Sequence, residues 1–142
     1  MNYTDEYISQ KLCGIGKTGF KAAPIAGIWQ DAPYQELVIN QQSFALIIKD
    51  VVFNVVVDRI RGNVILIDND LNISLINSTL EQFCRCAIHW GKILDVPENI
   101  SDEEREEIAS LLKEDLMKID EPAFENENQL WPVAIEEFCY GI

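Results

Sequence analysis

One histidine, His89, is all this chain has, so no two imidazoles exist to share a metal or to form a His-based relay. Cysteine is almost as scarce. Cys13, Cys84, Cys86 and Cys139 show no C-x-x-C pairing, so neither a structural zinc site nor any other metal site is expected. Cys84 and Cys86 stand two apart on a predicted helix and point to different sides; all four cysteines read as small hydrophobes in a reducing compartment. No serine sits in a G-x-S-x-G elbow. No apolar run approaches the roughly 18 residues of a membrane span. The opening MNYTDEYISQ has neither a basic start nor an apolar centre, so no secretory leader is expected and the cytoplasm is the default location. Internal repeats and low-complexity segments are absent.

Positive charge is the other shortage. Eleven Lys and Arg face 24 Asp and Glu, a formal net charge of -13. Self-repulsion of that size argues against DNA, RNA or an anionic membrane as partner and is compatible with a basic protein. The imbalance is localised: residues 98–142 hold 14 acidic and 3 basic side chains, whereas residues 1–97 hold 10 and 8.

What the chain does have is a core. It is 142 residues long and 48% hydrophobic, with mean hydropathy -0.01, enough for one soluble domain spanning 1–142 without disulfide or metal staples. The segment Asn63–Lys92 organises it. Val64–Ile67 and Ile73–Ile76 are short β-branched strands separated by Asp68-Asn69-Asp70, a hairpin turn by composition. Asp68–Asn72 has the beginning of a calcium loop, but Ile73 and Thr79 occupy the places that need Gly and Glu. Ser78 is placed as a helix N-cap with Glu81 closing a capping box. Leu80, Phe83, Cys84, Ala87, Ile88 and Trp90 then form one apolar helix face. His89, mid-helix, reads as a partly buried structural imidazole.

Upstream, Asp5–Leu12 is a short helix candidate with Tyr7, Ile8 and Leu12 on its apolar side. Gly14-Ile15-Gly16-Lys17-Thr18-Gly19 fits the letters of a dinucleotide fingerprint but lacks a strand before and a helix after, so it reads as a surface loop. Ile25–Trp29, Leu37–Ile39, Ser43–Lys49 and Val51–Asp58 are strand candidates. The last two are apolar almost throughout, as strands covered on both faces would be, or strands with one face under helices. Downstream, Ser101 caps a helix to Ile119 with Glu104 closing its box, and Ile108, Ala109, Leu111, Leu112, Leu116 and Ile119 form the stripe. A last short helix follows Trp131-Pro132. Helices gather at the end rather than alternating with strands. The expected fold is therefore α+β: a twisted, mostly antiparallel sheet of five or six strands with flanking helices.

Two stretches also carry a resemblance. Gly62-Asn63-Val64 leading to Asp68, and an apolar strand leading through Asn77-Ser78 to Phe83, are similar to the SUKH superfamily, which includes fungal glucan-synthesis regulators and bacterial immunity proteins. The likeness runs from Leu37 to Trp90 and takes in the Trp131 region. Many relatives open with an acidic helix followed by L-P-x-x-Y, a pattern this chain lacks. The resemblance implies a non-enzymatic binding protein without cofactor, most directly an immunity protein that neutralises a cognate toxin. The acidic C-terminal third matches a basic, nucleic-acid-acting toxin. The contact residues expected are Glu103, Glu106, Glu107, Glu125 and Glu127, with Trp29 or Trp131 as an aromatic anchor. The alternatives are a regulatory adaptor of cell-wall or glucan synthesis, and a small nucleotide binder using the Gly14–Gly19 loop.

Overall fold

The computed structural model describes residues 2–15 and 24–141. The Gly16–Gly19 part of the loop assigned to the nucleotide-binder alternative, with Lys17, lies outside the described residues. Six strands form one sheet: β1 (Ile28–Trp29), β2 (Glu36–Ile39), β3 (Gln42–Lys49), β4 (Phe53–Asp58), β5 (Val64–Asp68) and β6 (Ile73–Asn77). The order is β1-β3-β4-β5-β6, with β2 also on β3, and every pairing is antiparallel. β1 and β2 share one edge of β3 end to end: Ile28 lies opposite Lys49, and Glu36 opposite Ala45. Asn40 and Gln41, both at positive φ, close the β2–β3 hairpin with the twist that two-residue turns require.

Ala45, Ile47, Ile48, Val55, Val57, Val64 and Ile76 face the helices and form the main core with them. On the other face Phe44, Leu46, Val56, Ile65 and Ile67 pack with Leu37, Ile39 and Leu75, a cluster drawn from strands alone. Apolar side chains on both faces account for the continuous hydrophobic runs of β3 and β4.

Among the described residues there are four α-helices: α1 (Asp5–Gly14), α2 (Leu80–Trp90), α3 (Asp102–Ile119) and α4 (Leu130–Cys139). None is long and apolar enough to cross a membrane. α1 is an acidic opening helix after all, with Asp5 and Glu6 in its first turn and Thr4 as cap. It covers the Asp5–Leu12 helix expected from the sequence and buries Ile8 and Leu12 of the expected apolar side. α2 begins one residue later than the Ser78 cap expected above. Thr79 is the N-cap, its hydroxyl oxygen accepting from the Gln82 N–H at 3.2 Å. Ser78 is engaged elsewhere: its N–H and hydroxyl both donate to Asp120, at 2.7 Å each. That removes it as a cap and hands the role to Thr79, whose hydroxyl also donates to Gln82 Oε1 at 2.9 Å. Two expected stripe residues also face solvent: Ile88 is 52% and Leu111 57% exposed. Cys86 is buried in place of Ile88 because α2 is covered on two sides, by α1 at Cys84 and by β6 at Cys86.

Glu81, released from capping, holds α1 to α2. Its carboxylate accepts from the Tyr3 hydroxyl at 3.0 Å and from the Tyr7 hydroxyl. Burial, then the bond to Glu81, pushes Tyr3 up to about 12; for Tyr7 the Glu81 bond comes first, and it too reaches about 12. A phenol whose folded pKa lies above its ordinary 10.0 stabilises the fold fully below pH 10 and loses that contribution as pH rises towards 12. Three of the four tyrosines should therefore ionise late in an alkaline titration followed by tyrosinate absorbance, since burial also raises Tyr34. Glu81→Gln should bring Tyr7 down towards 10 and Tyr3 only part of the way, since burial, the larger cause for Tyr3, remains; a Tyr7 that still ionises late in this variant would rule out Glu81 as its cause.

Candidate functional site: an acid-rimmed groove between α3 and α4

α3 starts at Ser101, whose hydroxyl accepts from the Glu104 N–H at 3.1 Å, and buries Ala109, Leu112 and Leu116. Spacings of three and four place these on one side and leave Glu103, Glu106, Glu107 and Ser110 in water. The helix ends at Asp120, 2% exposed, which is bound into β6 and the start of α2. Asn77 Nδ2 donates to Asp120 at 2.9 Å, beside the two donations from Ser78. Asn77 Oδ1 in turn accepts from the Trp131 indole N–H at 2.8 Å, so one chain of hydrogen bonds joins α3, β6 and α4.

The acidic segment after Asp120 is held from beneath. A short 3₁₀ turn (Glu121–Phe124) with Pro122 in its first turn leads into Glu125 and Glu127. Gln129, 3% exposed, donates to Leu75 O at 3.2 Å and to Pro122 O at 2.9 Å, and its Oε1 accepts from the Asn126 N–H at 2.8 Å. One buried amide thus fixes the loop against the sheet. α4 then packs Trp131, Ala134 and Ile135 inward.

Between α3, this loop and α4 lies a groove of about 500 Å³. Ala109, Phe124, Pro132 and Ile135 give it apolar walls; Glu106, Glu125, Glu127 and Glu136 line it, with Ser110, Lys113 and Tyr140. Tyr140 is 72% exposed. The ion pairs among the described residues are Arg59 with Asp5 and Glu36, His89 with Asp115, and Lys118 with Glu114. None reaches the four groove carboxylates; Lys113 lines the same groove without pairing with them, which leaves four carboxylates against one ammonium.

The structure therefore brings Glu106, Glu125 and Glu127 together, and leaves Glu103 and Glu107 on the solvent side of α3 outside the groove. Trp131 is not a surface anchor. It is 0% exposed, its ring centroid 6.3 Å from Phe83 and 6.0 Å from Trp90, because its indole N–H is required by buried Asn77. Trp29 is half-buried on β1, 6.4 Å from Phe83, and lines no part of the groove. Glu136 and Tyr140 belong to the site and escaped sequence reading. Pro132, Glu136 and Tyr140 recur every four residues along α4, and that spacing was the available signal.

The remaining candidates for chemistry among the described residues are engaged in structural contacts. Burial pushes the Cys84 and Cys86 thiols up to about 12, which leaves them as inert thiols. His89 Nε2 lies 3.6 Å from Asp115 Oδ2. The Asp68–Asn72 segment is a hairpin turn: Asp68 Oδ1 accepts from the N–H groups of Asp70 and Asn72, at 2.9 Å each.

The antiparallel meander with helices on one face carries the strand–cap–helix junction at Asn77–Thr79, part of the stretch on which the SUKH resemblance rests. The family model described as SUKH-4 immunity protein matches residues 31–137, and the chain belongs to that family. No curated protein and no solved structure matches the chain.

Proposed function

We infer that this chain is an immunity protein that acts in the cytoplasm by binding a cognate toxin domain with a basic, nucleic-acid-facing surface and blocking it. The reading places contact on the acidic side of α3 and the loop after it: Glu103, Glu106, Glu107, Glu125 and Glu127. The observation that carries it is the set of carboxylates on α3, the loop and α4 that make no ion pair, in a chain matched by an immunity-protein family. A toxin that handles nucleic acid needs a cationic surface, and an anionic surface that competes for it needs no chemistry. Charge complementarity of this kind speeds encounter and selects the partner more than it tightens the complex. The same charge disfavours nucleic acid and anionic membranes as ligands of this chain.

The test is affinity capture by the tagged chain from the strain that produces it, at salt near about 0.1 M and about 1 M, where the screening length falls from ~10 to ~3 Å. A basic polypeptide that kills cells when expressed alone, spares them when co-expressed with this chain, and binds less at high salt is the expected result. Recovery of only acidic or neutral proteins, or toxicity unrelieved by co-expression, would sink the reading.

A further inference from the structure

We propose that the α3–α4 groove receives an arginine side chain presented by the partner protein. This deepens the reading above and rests on it, but a different set of observations carries it. A solvated acidic face needs no concavity and no apolar lining. This one has both, with Phe124, Pro132 and Ile135 in the walls, and an exposed tyrosine, Tyr140, at the end of α4. An arginine has an apolar stem that suits such walls and a planar, weakly hydrated head that stacks on aromatic rings and meets carboxylates two bonds at a time. Glu106, Glu125 and Glu136 approach the groove from three different elements, so a guanidinium meets acceptors in several directions. Lysine is a more strongly hydrated point charge and gains less from an aromatic wall and paired acceptors. These acids outnumber the one cation in the groove lining, Lys113, and no described cation lies within ion-pair distance of any of them. The groove is also built before a partner arrives, since Gln129 fixes the loop that carries Glu125.

The closing experiment titrates the full isotope-labelled chain with two synthetic peptides, acetyl-Gly-Leu-Arg-Gly-Arg-Gly amide and its lysine counterpart. The largest amide shifts should fall on Ser110, Phe124, Asn126 and Tyr140, and the arginine peptide should bind about tenfold tighter or more. Ser110→Arg sets a resident guanidinium on the groove-lining side of α3 and should abolish peptide binding. Ser110 is exposed and the new residue is a good helix former, so the fold survives, which the same spectra verify. Tyr140→Ala is the second variant and should weaken the arginine peptide severalfold while moving the lysine peptide less. Shifts spread as widely over Glu103 and Glu107, equal affinity for the two peptides, or indifference to Ser110→Arg would overturn the proposal. The two readings fail separately. A toxin captured equally well by Ser110→Arg and by the wild-type chain removes the groove and leaves the immunity role. No captured toxin alongside a selective arginine response removes the immunity role and leaves the groove.

Discussion

Asp120→Ala should lower the unfolding free energy by about 4 kcal/mol, close to the upper end for a single substitution. The carboxylate is 2% exposed and accepts three hydrogen bonds, from Asn77 Nδ2 at 2.9 Å and from the Ser78 N–H and hydroxyl at 2.7 Å each. A bond to an ionised acceptor contributes about 1.5–3 kcal/mol, and a buried donor left without an acceptor costs about 1–3. Relief from burying a charge offsets part of that total. Alanine takes the only oxygen acceptor from the Asn77 amide N–H, which is 0% exposed and keeps just its 3.5 Å contact to the Cys86 sulfur. Asp120→Asn keeps the shape and one acceptor oxygen, and should cost about half as much. Urea unfolding of both variants checks the pair. A loss below about 1 kcal/mol for Asp120→Ala would mean that the cluster is solvated and that the junction does not depend on it.

Trp131→Ala should cost about as much by another route. The side chain is 0% exposed and lies against Phe83 and Trp90, at 6.3 and 6.0 Å between centroids. Removing a buried aromatic to Cβ costs about 3–5 kcal/mol through lost transfer energy and the cavity left behind. Trp131→Phe isolates the polar part. It retains most of the apolar volume but leaves Asn77 Oδ1 without the indole donor, for about 1–3 kcal/mol. The Asp120 and Trp131 substitutions share Asn77, so their costs should not add. The double alanine variant should lose less than the sum of the single variants. Strict additivity by denaturation would show two independent clusters rather than one chain of bonds.

The elements most legible in the sequence were those whose signal is local. β3 and β4 declared themselves by β-branched runs, and α3 by Ser101 with Glu104 three residues on. The α2 start was ambiguous because Ser78-Thr79-Leu80-Glu81-Gln82 holds two overlapping boxes, Ser78–Glu81 and Thr79–Gln82. The choice between them is made by Asp120, 42 residues away from Ser78, which no local pattern records. Trp131 misled for the same reason: an indole looks alike in a core and at an interface until its N–H partner is known, and that partner is 54 residues upstream. Ile88 and Leu111 passed as stripe residues because hydrophobic type was read without the number of neighbours each helix has. In the site, Glu106, Glu125 and Glu127 were legible as charge. Their convergence depends on Gln129 and on how α4 lies beside α3, so the concavity was invisible, and with it Glu136 and Tyr140.

The Gln129 amide has a consequence for recognition. An acidic loop tethered only at its ends would have to give up chain entropy whenever it met another molecule. Here the backbone of Leu75, Pro122 and Asn126 is tied to one buried side chain before any encounter. Docking on this surface is then close to a lock-and-key event, in which the favourable contacts are not spent on ordering the receptor.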